Sequence, residues 1–388
     1  MKCKRFAAAL LGALLLTSLT GCGGAGKYDN GKMRSDLTAM SAAQEMGVGI
    51  NLGNTFEAYW ADDHDLTAGA STIGDNTPQD YETCWGAVVT TPNCIDGIKA
   101  AGFHTVRIPV YWGNMMEDDG AYQINEDYMD RVQEVVDECR RNGLYVVLNI
   151  HHYDEFLIKH HSKEETLNAV EIVWEQIAQR FKNYSDYLIF EGFNEALGTG
   201  ENGEELSRDD AYAYVNAMNQ EFVDTVRATG GNNAKRILIA SGYWTNIDLT
   251  TADAYELPED GTPDRMMVSV HYIDNSIYWM NMVGNDNWLE YSTDQCELLK
   301  KRFTDNGIPV FVGECTSIYD PEHCIKTPKY EGSSTCLQLL LDMAADYEFV
   351  PVLWDVNDNF YSRTDCRIKE ASDQAVITEV AGRIANRS

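Results

Sequence analysis

Positive charge is what this chain has least of. It carries 30 Lys and Arg against 61 Asp and Glu, a formal net charge of −31 over 388 residues. Such an acidic surface repels phosphate backbones and anionic bilayers, which excludes non-specific nucleic-acid binding and favours neutral or cationic partners. The ten cysteines include no Cys-x-x-Cys pair, so the spacing of a structural zinc site is missing. No metal and no organic cofactor is expected. Past residue 36 there is no low-complexity stretch and no break in composition. Nothing there marks a linker, and a single domain over residues 37–388 is the expectation.

The N-terminus differs from the rest. MKCKR (1–5) is basic, and FAAALLGALLL (6–16) is apolar but too short to span a bilayer, as in a signal segment. Leu19-Thr20-Gly21-Cys22 resembles a bacterial lipobox. The resemblance implies a signal peptide over residues 1–21, lipidation of Cys22, and an exported lipoprotein held at the cell surface by acyl chains, with no spanning helix. Residues 22–36 are then the lipidated Cys and a flexible tether, given the Gly-rich run that opens them. Export permits disulfides among the remaining cysteines, in pairings that spacing does not select.

Apolar, β-branched runs recur along the chain: VGINL (48–52), TVRIPV (105–110), YVVLNI (145–150), YLIFEGF (187–193), RILIAS (236–241), MMVSV (266–270), PVFVGE (309–314) and VPVLWD (350–355). Amphipathic stretches lie between most of them. Residues 125–143 show an Asn cap, apolar three–four spacing and a closing Gly; 168–184 and 294–307 behave alike. Strand–helix alternation repeated eight times predicts an α/β fold, a (β/α)₈ barrel in one domain.

The strand ends are polar where a core strand should not be. Arg107, His151, Glu195, Ser241, His271, Glu314 and Trp354 recur about one strand–helix unit apart. In a barrel of this kind the C-terminal strand ends converge on one mouth. YLIFEGFNEA (187–196) holds two carboxylates. Glu191 lies four residues before Glu195, so roughly 13 Å deeper, and reads as a partnered interior carboxylate. Glu195 reaches the rim, and Glu314 takes the same place three units later. Strands four and seven face each other across an eight-stranded mouth. Two opposed glutamates are what glycoside hydrolysis requires, one as proton donor and one as nucleophile or base. Around them, Asn194 is placed to hold a sugar 2-hydroxyl, and Arg107 to keep Glu314 ionised. His151, His152 and His271 offer hydrogen bonds, and Trp354 offers a flat face for a sugar ring.

The motifs GINLGNTFEA (49–58), TCWGAVVTTPNCIDGIKAAGFHTVRIPVYW (83–112), NIHH (149–152), LIFEGFNEA (188–196), SVHY (269–272), VFVGE (311–314) and VLWD (352–355) together resemble glycoside hydrolase family 5, most closely its subfamily 4 endo-β-1,4-glucanases. That resemblance implies a retaining enzyme with Glu195 as acid/base and Glu314 as nucleophile. It further implies Arg107, His151, Asn194 and His271 as their supports, Trp354 as a sugar platform, and Asn51, Glu57 and His152 as substrate contacts. Three departures stand out. The family's Tyr two residues after the sixth-strand His is Ile273 here; Tyr272, one residue early and re-aimed by a bulge, is the expected supporting residue in its place, with Tyr278 as the alternative. Cys315 follows Glu314, and WDVNDNFYSR (354–363) replaces a Trp-Asp-Asn-Gly run. The expected partner is a β-glucan polysaccharide, hydrolysed by a monomer. Xyloglucanase, mannanase and xylanase activities are the alternatives within the fold, and a lipid-anchored carbohydrate-binding protein is the non-enzymatic one.

Overall fold

A computed structural model describes residues 26–60, 71–117, 120–152, 161–197, 205–271, 288–315, 333–356 and 360–386. Eight parallel strands close into a barrel in chain order: β1 (Gly49–Asn51), β2 (Thr105–Ile108), β3 (Tyr145–Asn149), β4 (Leu188–Glu191), β5 (Leu238–Ser241), β6 (Met266–His271), β7 (Val310–Cys315) and β8 (Val350–Leu353), with β8 pairing back to β1. The helices named below are α1 (Ala39–Met46), α2 (Pro78–Thr83), α3 (Pro92–Ala100), α4 (Glu126–Arg141), α5 (Lys163–Arg180) and α6 (Arg208–Ala228). The expected strands all form, and the eight-fold alternation is the reason. No helix among the described residues is long and apolar enough to cross a membrane.

Strand periodicity divides the apolar side chains into two cores. Val106, Ile108, Val146, Leu148, Leu188, Phe190, Val268, Val270, Val310 and Val312 face the helices. The alternate residues Val147, Ile189, Ile239, Met267, Phe311 and Val352 fill the barrel. Leu37 and Ala39, Ala42, Ala43 and Met46 of α1 join that inner core. α1 therefore plugs the base of the barrel, and the small alanines let it seat closely. Thr38 caps it, accepting the Ser41 N–H at 3.1 Å. The longer helices begin in the same way. Asn125 accepts from Asp127 and Tyr128 ahead of α4, and Ser162 accepts from Glu165 ahead of α5.

The stretch expected to be a free tether is bonded as far back as it is described. The Lys27 N–H donates to Asp137 at 3.2 Å. Asp29 receives Arg140 Nε at 2.7 Å and both the N–H and hydroxyl of Ser185 at 2.7 Å. Arg34 donates to Asp186, Glu45 and Tyr145, and its carbonyl accepts from Arg265. Asn232 donates to the Gly31 carbonyl at 2.9 Å. These partners sit at helix C-termini and strand N-termini, so residues 26–36 form a strap across the base. Glycine content suggested slack, but the strap's charges find partners that only the closed barrel assembles. Cys84, Cys94, Cys139, Cys296 and Cys366 are thiols, not disulfides. Cys22 lies outside the described residues.

Removing the Asp29 carboxylate would leave the buried Arg140 guanidinium without its counter-charge. Asp29→Ala is expected to cost about 3 kcal/mol in urea unfolding while sparing the distant mouth. A loss within experimental error of zero would show that the strap does not brace the base.

Candidate active site

The mouth is built on one guanidinium. Arg107, on β2, is fully buried. Its Nε donates to Glu191 at 2.7 Å, one terminal nitrogen to Asn51 at 3.0 Å and Glu314 at 3.1 Å, and the other to Asn194 at 2.8 Å. Burial alone would weaken its charge, but the two facing glutamates more than offset that and hold its pKa above the ordinary value. Glu191 also receives Asn149 at 3.1 Å and Ser269 at 2.8 Å, and none of it is exposed. It is the partnered interior carboxylate that its depth predicts.

Glu195 and Glu314 close on each other above this layer. A carboxylate oxygen of each, with a ring nitrogen of His271, all lie within 4.8 Å of one another. His271 Nδ1 is 3.0 Å from Glu195 and 3.8 Å from Glu314. The strand register shifts between Val270 and His271, and His271 then pairs with Glu314. A bulge there re-aims the rim side chains. Gly313 makes room for the imidazole, since a Cβ at that position would lie 3.0 Å from His271 Nε2. Glu314 is only 6% exposed, whereas Glu195 is 36% exposed. Burial raises the Glu195 carboxyl, but the His271 contact, with the charge of Arg107, outweighs it and holds the group below the usual range.

Asn194 gives its side-chain oxygen to Arg107. Its carbonyl accepts from Ser241 at 2.7 Å, so β5 steadies the Glu195 loop. Trp354 and His151 stand parallel, 6.0 Å apart with an 8° tilt. Burial drives the His151 pKa well below its ordinary value and that of His152 to about 4, so both rings are neutral at the mouth. Three rings surround His152: Tyr59 at 5.2 Å, Trp85 at 5.8 Å and Tyr111 at 6.1 Å.

Two expected substrate contacts turn out to be internal. Asn51 is 1% exposed and spends its amide on the Gly313 and Leu353 carbonyls, with its oxygen on Arg107. It braces the floor of the mouth. Glu57 is equally buried and staples the loop after β1, accepting the backbone N–H groups of Asn54 and Thr55. Cys315 is also explained: it faces the helix layer and is fully buried. Asp355, at the head of the unusual WDVNDNFYSR loop, accepts the Phe360 and Tyr361 N–H groups, and Arg363 ties that loop to Gly53 and Thr55. Tyr272, Ile273 and Tyr278 lie outside the described residues.

Several exposed aromatics were not singled out from the sequence, and Trp244 is the most exposed of those among the described residues. Trp244, after β5, is 52% exposed and has φ +50°, ψ +23°, followed by Thr245 at φ +46°. Two successive non-glycine residues in the left-handed region are strained. The turn is held by the Trp244 N–H, which donates to the Ala196 carbonyl at 2.6 Å. Its signal in the sequence was an aromatic pair, Tyr243-Trp244, directly behind a strand end.

Desolvation pushes the Glu57 carboxyl up to about 7, the amide N–H groups only partly opposing it. The unfolded chain sheds this proton near pH 4.5, whereas the folded chain keeps it until about pH 7. The proton therefore stabilises the fold at low pH, and that contribution fades as pH rises through this window, by at most about 3 kcal/mol. Glu57→Gln should gain stability relative to the parent between pH 5 and pH 8 in urea unfolding. A constant difference across that range would show that Glu57 does not titrate there.

Known proteins with this geometry agree on a family. The family described as Cellulase (glycosyl hydrolase family 5) matches residues 68–360. Endoglucanase 1 of Ruminococcus albus is 36% identical over 323 residues, 82% of this chain and 73% of that protein. The structure titled a GH5-4 broad specificity endoglucanase from Ruminococcus champanellensis with bound cellotriose superposes with a TM-score of 0.74 at 30% identity, covering 89% of this chain and 99% of that one. A Bacteroides ovatus GH5 xyloglucanase in complex with a XXXG heptasaccharide gives a TM-score of 0.76 at 28% identity over 93% of this chain and 79% of that one. A closed eight-stranded barrel, two glutamates meeting at its mouth and this extent of sequence identity have one common explanation: the chain belongs to glycosyl hydrolase family 5, the cellulases.

Proposed function

We propose that this protein is a retaining endo-β-1,4-glucanase whose nucleophile is Glu314 and whose acid/base is Glu195. The observation that carries the reading is the approach of their carboxylate oxygens to within 4.8 Å. Such a close approach favours the narrow carboxylate spacing of direct attack over the wider one that inversion leaves for a water. The nearly buried Glu314, paired with Arg107, attacks the anomeric carbon. Because His271 holds Glu195 low, its protonated fraction is the form that gives a proton to the departing oxygen, and the carboxylate afterwards takes one from water. Esterification of Glu314 removes a negative charge beside Glu195, which favours the ionised form needed for the second step. The Asn194 amide meets the 2-hydroxyl, Trp354 carries the sugar in the cleaved subsite, and Trp244, bonded to the Glu195 loop, offers its face to the departing chain. His271 orients Glu195.

The preferred polymer is a linear β-glucan. Xyloglucan is the second reading, favoured by the similarity to a xyloglucanase crystallised with its oligosaccharide. The enzyme acts as a monomer, anchored at the cell surface through Cys22. The strap supports the anchored arrangement: it brings the chain in at the base, so the mouth faces away from the attachment point.

Reducing-end release from mixed-linkage glucan, carboxymethyl-cellulose, xyloglucan, glucomannan and xylan tests the substrate. Residues 26–388 are the shortest chain that keeps the whole described strap. Highest rates on the first two are expected, and no release from any of the five would sink the reading. Roles are separated by leaving group. Glu195→Ala should lose about 10²–10⁴-fold on glucan yet still form the glycosyl-enzyme from dinitrophenyl β-cellobioside. Glu314→Ala should lose both, and equal loss in both variants would refute the assignment. His271→Ala should move the alkaline limb of the kcat/KM profile to higher pH, because the Glu195 carboxyl loses the contact that holds it low. An unmoved limb would place the influence of His271 elsewhere.

A further inference from the structure

Among the described residues, four of the seven large exposed hydrophobic side chains are Trp60, Trp85, Val88 and Val89, in the stretch that follows β1. Trp85 is the one tied to the mouth. Its indole N–H donates to the Tyr59 carbonyl at 2.9 Å, and its ring meets Tyr59 at 5.1 Å and His152 at 5.8 Å, steeply inclined to both. The polar edge is thus satisfied by protein and the ring is fixed, while 38% of the residue is left to solvent. What a ligand finds there is a flat apolar face, which suits the C–H face of a pyranose.

That face continues the cleft. From Trp354 the rings pass to His151 at 6.0 Å, to His152 at 4.8 Å and to Trp85 at 5.8 Å. His151 Nδ1 and His152 Nε2, along this path, are buried and have no hydrogen-bond partner among the described residues. The path runs over the rim of β8, β3 and the loop after β1. Trp244 and the Glu195 loop occupy the rim of β4 and β5. The departing chain leaves on the Glu195 side, so the Trp85 side holds the part of the polymer that stays.

We propose that Trp85 is a distal platform for the retained end of a β-1,4-glucan chain, beyond the sugar that stacks on Trp354. The inference rests on the glucanase reading above. It predicts that the enzyme draws affinity from chain length, and that short substrates never reach Trp85.

Trp85→Ala and Trp85→Phe should be compared on cellohexaose and on β-cellobiosyl fluoride, which has no aglycone sugar and too few rings to span the path. Trp85→Ala is expected to raise KM for cellohexaose about tenfold, the worth of one aromatic contact, with kcat within about twofold. β-Cellobiosyl fluoride should be unaffected, and Trp85→Phe should restore most of the loss. Products from reducing-end-labelled cellopentaose should shift away from the longest retained fragment. Equal losses on both substrates would overturn the platform and make Trp85 a prop for Tyr59 and His152. Unchanged KM and unchanged products would overturn it as well. A parent enzyme that cleaves neither substrate would instead overturn the glucanase reading, and this inference with it.

Discussion

Everything at the mouth depends on how the buried charge of Arg107 is neutralised. A guanidinium out of water is tolerable only when its donors are met by charged or polar acceptors. Here the acceptors come from β1, β4 and β7, on different sides of the barrel. One side chain therefore fixes three strand ends relative to one another. Glu191 explains how this survives catalysis. In the proposed mechanism Glu314 gives up its charge on becoming an ester, while Glu191 stays hydrogen-bonded to Arg107 beneath it.

Above that layer the rim divides by chemistry. On one side are neutral rings: Trp354 stacked on His151, with His152 edge-on to it. Burial keeps both imidazoles uncharged, which suits a neutral polymer that would gain nothing from ions. On the other side are Glu195 and the strained turn of Trp244, tied together through Ala196 and Ser241. The acidic surface is compatible with an uncharged substrate.

The barrel and its two glutamates were legible because both are local patterns: β-branched runs at regular spacing, each closed by a polar residue. The depth of Glu191 followed from strand rise alone. Asn51 and Glu57 were misread because the use of a polar side chain depends on which way it turns and on partners that position alone does not reveal. Asn51 bonds a carbonyl 302 residues away. Glu57 turns inward to the backbone of Asn54 and Thr55, and nothing in its position marks the direction. The strap was misread for a related reason: its composition resembles a linker, and its partners, Arg140 at a helix end and Ser185 and Asp186 ahead of β4, are inconspicuous in sequence. Trp244 was overlooked because exposure is a property of the folded surface, and eight tryptophans offer no way to rank them.

The strap also sets an order of events. Residues 26–36 leave the ribosome early, yet Arg34 finds Asp186 only 152 residues later and Arg265 only 231 residues later. The plug helix waits longer still, for Val350 and Val352. Contacts of such sequence separation form late, since loop closure must precede them. The oldest part of the chain is thus among the last to settle, and it stays open to processing and handling through most of synthesis.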